Sequence, residues 1–129
     1  MTKNNALLTS ITLPNGTVIS NRFFKSAMNE ALADNSRQAN EGHVALYQTW
    51  ANGGAGVLMT GNVMIDRTAI AEPGNVVFDG QTNRELLATW AEAGKSKGNH
   101  IWVQLNHPGK SIPKMMKSET VAPSAIGMS

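Results

Sequence analysis

Three short segments of this 129-residue chain combine small residues with side-chain amides: Ser26-Ala27-Met28-Asn29, Thr60-Gly61-Asn62 and Gln104-Leu105-Asn106-His107. An amide donates and accepts hydrogen bonds at once, which suits the edge of a heterocycle with alternating N–H and C=O groups. Small residues let a flat ring lie against backbone. The competing reading of Gln104 is a strand-end amide satisfied by backbone. The sequence has neither G-x-G-x-x-G nor G-x-x-x-x-G-K-[ST]. Gly53-Gly54-Ala55-Gly56 precedes a strand candidate, whereas phosphate-cradling glycines open a helix, so it reads as a tight connection. With no cysteine, and with His43, His100 and His107 outside metal-ligand spacing, neither thiolate nor zinc chemistry is expected. His107 reads as a loop or supporting histidine, Asp66, Glu72 and Glu119 as isolated, solvated carboxylates. Trp50, Trp90 and Trp102 read as core, and Met115-Met116 as loop packing.

The elements that must position these segments follow from periodicity. Ser10–Leu13 and Thr17–Ser20 flank Pro14-Asn15-Gly16, a hairpin turn in which Asn-Gly tolerates positive φ. Arg22–Met28 is a short, mostly apolar run. Val44, Tyr47 and Ala51 share a face of a helix over Glu41–Asn52, with Trp50 beside them and Gly53-Gly54 as its stop. Gly56–Thr60, continuing to Ile65, is a buried-strand candidate, and the stretch from Asp66 to Gly80 reads as loop. Thr82 and Glu85 fit a capping box for a helix with Leu86, Leu87, Trp90, Ala91 and Gly94 on one face, stopped by Gly98. His100–Leu105 is the next strand, and a Pro-bearing loop follows. The order is a hairpin, then β-α-β-α-β. It predicts a parallel sheet with right-handed crossovers, its strands apolar enough to be buried on both faces. This pattern allows a doubly wound sheet and a barrel segment equally. In either, function gathers at the C-terminal ends of strands, where the three amide-bearing segments fall.

Composition narrows the partners. Eleven Lys plus Arg against nine Asp plus Glu give a formal charge of only +2, which argues for neither nucleic acid nor an anionic membrane. No apolar run reaches spanning length, and Met1–Asn5 is polar, so the expectation is a soluble, cytoplasmic protein acting on a small molecule.

Taken together, the motifs resemble the old yellow enzyme family of FMN-dependent ene-reductases and NADH:flavin oxidoreductases, over roughly residues 7 to 110. Leu13-Pro14-Asn15-Gly16 with Asn21-Arg22 is similar to the family opening. Ser26–Asn29 is similar to the end of its first barrel strand. Tyr47, Ala51, Gly53, Gly54 and Gly56–Thr60 are similar to its helix-to-second-strand signature, and Gln104-Leu105-x-His107-x-Gly109 to the end of its third strand. Each is weak alone; four in order at the right spacing are specific. The resemblance implies the N-terminal segment of a (β/α)8 barrel, a single partial domain with a hairpin lid (7–20), strands and helices (22–107) and a loop (108–129). A complete barrel needs about 250 residues.

The resemblance also implies a cofactor, FMN, reduced by NADH or NADPH and passing hydride to an activated alkene or similar acceptor. It places Ser26, Ala27 and Met28 beside the isoalloxazine ring, Asn29 at its O4/N5 region, and Asn62 and Gln104 at its pyrimidine edge. No catalytic residue is assigned. The chain departs from the family pattern at Ala27 (usually Pro), Asn29 (usually Thr or Cys), Gly61 (commonly acidic) and Lys110 (usually Arg). The alternative is a non-catalytic barrel segment that self-associates, as a homo-oligomer or with the remaining barrel half, through unpaired strand edges. A lyase-type barrel without flavin lacks a Lys nucleophile signature here.

Overall fold

The computed structural model describes residues 5–113, 115 and 120–126. Met1–Asn4, Met116 and Glu119 lie outside the described residues. The hairpin forms as β1 (Ile11–Thr12) and β2 (Val18–Ile19), antiparallel with Ile11 opposite Ile19. Gly16 takes φ +84° in its turn, and the Asn15 side chain accepts from Thr17 N–H. Then come β3 (Phe24–Lys25), α1 (Glu41–Asn52), β4 (Val57–Met64), β5 (Val76–Val77), α2 (Arg84–Lys95) and β6 (His100–Asn106). All pairings in the second sheet are parallel, and β4 is its centre. Strand β6 runs along the whole of one edge of β4. The other edge is shared by β3, opposite Val57 and Leu58, and β5, opposite Val63 and Met64.

Both helices pack on one face of this sheet. Their core joins Tyr47 and Ala51 of α1, Trp90 and Ala93 of α2, and Leu58 and Val63 of β4, with Val76 of β5. The α1 boundaries match the sequence expectation. Its N-cap is Asn40, which accepts from Gly42 and His43 N–H, while His43 returns Nδ1 to Asn40 N–H. Asn21 staples the turn after α1. Its amide donates to Gly54 O at 2.7 Å and accepts from Gly56 N–H at 2.9 Å.

The structure corrects several expectations. The cap of α2 is Asn83, which accepts from Glu85 and Leu86 N–H. Thr82 turns inward to donate to Val77 O. Leu86 is 37% exposed and the buried face runs through Ala93 instead. The stretch read as loop contains β5, too short at two residues to show a period. Strand β4 is buried except at the half-exposed Met59 and Asn62, but β6 is not: Trp102, Val103 and Leu105 are exposed. Trp102 is therefore a surface residue, edge-on to Phe24 at 5.7 Å.

Candidate functional site

Strands β4 and β6 pair regularly from Val57 opposite His100 to Met59 opposite Trp102. Three residues on, Asn62 faces Gln104, which is only two residues past Trp102. Strand β4 therefore carries one extra residue, a bulge at Thr60-Gly61. Bulges re-aim side chains and recur next to functional sites. Without it, alternation would send Asn62 to the helix-covered face. With it, the half-exposed positions of β4 are Met59 and Asn62, on the open face that also carries Trp102 and Gln104. Thr60 bridges the interrupted ladder. Its hydroxyl accepts from Gln104 N–H at 3.0 Å and donates to Gly61 O at 2.8 Å.

The bulge brings the two amides together: Gln104 Nε2 donates to Asn62 Oδ1. Asn62 Nδ2 and Gln104 Oε1 have no partner among the described residues. A half-buried donor and a half-buried acceptor thus stand side by side at the C-terminal ends of adjacent parallel strands. That arrangement matches a ring edge carrying one C=O and one N–H, so these residues fit a flavin pyrimidine edge. The segment after β3 closes on them. Asn29 Oδ1 accepts from Asn62 N–H at 2.8 Å, and Asn29 Nδ2 donates to Glu72 of the β4–β5 loop. Ser26 and Met28 are exposed and Ala27 half-buried along this approach.

Ser26 to Asn29 therefore lie alongside the end of β4, and Asn62 and Gln104 touch. Two carboxylates read as solvated have partners: Glu72 takes the Asn29 amide, and Asp66 Oδ1 accepts from Thr68 N–H and hydroxyl. Asp66 Oδ2 also lies 3.7 Å from His107 Nε2, while His107 Nδ1 accepts from Gly109 N–H. His107 thus organises its own loop. A bidentate Arg67–Asp79 pair, with Nε–Oδ2 at 2.8 Å, holds the same rim.

Sequence reasoning missed Lys25, Glu30 and the polar role of Tyr47. Glu30 Oε1 accepts from Tyr47 hydroxyl at 2.6 Å and from Gly61 N–H at 2.9 Å. Burial and then the Glu30 bond push the Tyr47 phenol far above its ordinary range, so it remains a donor. Burial lowers the Lys25 pKa, against the opposing pull of Glu30. The available signal was a lysine inside an apolar strand and a glycine inside another, which marks a bulge or a close backbone approach.

No family model matches the chain. Curated relatives do. The chain is 31% identical over 127 residues to the NADH-dependent flavin oxidoreductase iliE of Hypocrea jecorina (strain QM6a), covering 92% of this chain and 32% of that protein. It is 32% identical over 128 residues to the NADH:fumarate oxidoreductase of Klebsiella pneumoniae (strain 342), covering 98% of this chain and 14% of that protein. Among solved structures, morphinone reductase superposes with a TM-score of 0.83 at 22% identity, over 97% of this chain and 33% of that one. The old yellow enzyme from Trypanosoma cruzi superposes with 0.79 at 20% identity, over 95% and 35%. The chain thus spans a third or less of the iliE, fumarate-oxidoreductase and morphinone-reductase chains. Its fold is an open parallel segment of the barrel those structures share. Among the described residues no helix is long and apolar enough to cross a membrane.

Proposed function

We propose that this chain carries an N-terminal part of the old yellow enzyme family and supplies the ring-edge half of a flavin site in an NADH- or NADPH-dependent oxidoreductase. The observation that carries the reading is the Asn62–Gln104 pair, aimed by the β4 bulge onto the open face with one donor and one acceptor unused. The names of the relatives support it, since two curated proteins from different organisms are described as NADH oxidoreductases. FMN is the proposed cofactor. When bound, it would supply hydride transfer from NADH or NADPH to a small-molecule acceptor such as an activated alkene, the hard chemistry being the cofactor's own.

The residues of this chain bind and orient. Gln104 and Asn62 hold the ring edge by paired amides, which also fixes which way round the ring lies. Ser26, Ala27 and Met28 offer backbone and small side chains to the ring. Asn29 retains its second Nδ2 hydrogen for a ring oxygen and tunes the flavin potential more than its affinity. Residues 1–129 count as a single partial domain of a cytoplasmic protein whose phosphate-binding residues come from further β/α units. The test is to purify the protein that contains this chain and record its visible spectrum. FMN absorbance that bleaches on adding NADH or NADPH is expected; a colourless protein that takes up no added FMN would contradict the reading.

A second reading has its own observation. The outer edge of β6 has no partner among the described residues, and Trp102, Val103 and Leu105 are exposed along it. In the 129-residue chain alone this edge drives self-association. Sizing chromatography checks that: a concentration-dependent oligomer is expected, and a stable monomer holding stoichiometric flavin would refute it.

A further inference from the structure

Directly behind the amide pair, on the helix-covered face of the sheet, lies a second polar cluster. Lys25 Nζ donates to Met59 O at 2.8 Å and to Ser26 O at 2.9 Å, and sits 4.1 Å from the centre of the Trp50 ring. Beside it the half-buried Glu30 carboxylate binds Tyr47 of α1 and Gly61 N–H of β4. A Cβ placed on Gly61 would overlap Met28 O and stand 2.5 Å from Glu30 Oε2 and 2.7 Å from Asn29 Cα. The carboxylate therefore occupies the space that any side chain at position 61 would need. Only glycine admits it, and only because the segment after β3 comes that close.

Backbone pairing between β3 and β4 ends at Lys25 opposite Leu58. Beyond it, two consecutive β4 amides are taken by side chains of two consecutive residues: Gly61 N–H by Glu30 and Asn62 N–H by Asn29. Side chains thus extend the β3–β4 ladder through the bulge, where backbone alone cannot. We propose that Glu30 is a positioning residue of the site. Its carboxylate seats Ser26–Asn29 against the bulge and so fixes the orientation of Asn62 and the Asn62–Gln104 pair. The geometric part stands independently; the consequence for cofactor binding rests on the flavin reading above.

Two readouts on the protein containing this chain separate those parts. The first is hydrogen–deuterium exchange of flavin-free protein over residues 57–65. Glu30→Ala leaves Gly61 N–H and the Tyr47 hydroxyl without their acceptor, whereas Glu30→Gln keeps an accepting oxygen. Exchange at Gly61 and Asn62 should quicken about tenfold or more in Glu30→Ala, stay near wild type in Glu30→Gln, and not change at Val57–Met59. The second is FMN titration. Glu30→Ala should weaken binding about tenfold, Glu30→Gln should restore most of it, and both should melt cooperatively. If Glu30→Ala does not fold, Tyr47→Phe takes its place, removing one of the two bonds, with a smaller change in the same direction expected. Unchanged exchange at Gly61 and Asn62 in the folded variants would overturn the positioning role. Faster exchange with unchanged FMN affinity would overturn its consequence for the site. Wild-type protein that binds no FMN would contradict the flavin reading and leave exchange to decide the role of Glu30.

Discussion

Strands β4 and β6 lie side by side, parallel and similar in length, and differ in almost everything else. Strand β4 is paired on both edges, covered by helices on one face, and keeps only Met59 and Asn62 half-exposed. Among the described residues, strand β6 is paired on one edge, and Val103 and Leu105 are uncovered on the face where Ile101 still meets the helices. The sequences do not announce this: both are apolar runs with one or two amides. Burial is decided by what lies beside a strand, and a parallel strand is finished only when the next β/α unit covers it. Asn62 and Gln104 face each other where the two strands meet, one on the covered strand and one on the exposed strand.

Side-chain truncation should separate the two strands most strongly. Leu58 is fully buried and Leu105 is 62% exposed. Leu58→Ala should cost about 2–5 kcal/mol. Leu105→Ala in the 129-residue chain should change stability by no more than about 0.5 kcal/mol. Urea unfolding of both variants measures the contrast, and equal costs would mean that β6 is covered in solution. Next comes the bulge. Gly61→Ala places a methyl against Met28 O and Asn29 Cα, backbone atoms that cannot swing away. A loss of about 1–3 kcal/mol is expected, with weakened flavin binding; a neutral substitution would mean that the β3 segment sits farther from β4.

A smaller, pH-dependent effect tests the buried side alone. His43 is fully buried, and burial lowers its pKa, with Glu30 pulling the other way. The unfolded chain therefore takes up this proton first. The stability contributed by neutral His43 is full above its ordinary pKa of about 6.5 and is lost as pH falls below it, at up to about 1.4 kcal/mol per pH unit. His43→Gln should flatten the stability profile between about pH 5 and 7; an unchanged slope would assign the pH dependence to other groups. The smallest expected effect on binding is that of Asn29→Thr. It should shift the flavin midpoint potential while leaving affinity nearly unchanged, and an unmoved potential would count against contact with the ring.

The β-α-β-α-β order was legible because helices of 12 residues show their period and Asn-Gly marks its turn. The three strand ends could be located for the same reason. Strand β5 was illegible because two residues have no period. Asn83 displaced Thr82 as the α2 cap because Thr82 bonds inward to β5, a tertiary preference that the local motif does not contain. The Glu30 cluster was hidden because its members come from positions 30, 47 and 61, and glycine records only that something approaches. The bulge, which decides the face of Asn62, left the same single trace.

If Asn62 and Gln104 present a donor and an acceptor to one ring edge, the FMN dissociation constant of Gln104→Leu in the protein containing this chain must rise. That substitution removes the acceptor and leaves ring polar atoms unpaired, costing about 1–3 kcal/mol. A rise of about 5- to 150-fold is expected, with the melting temperature unchanged. An FMN affinity equal to that of wild type would contradict it.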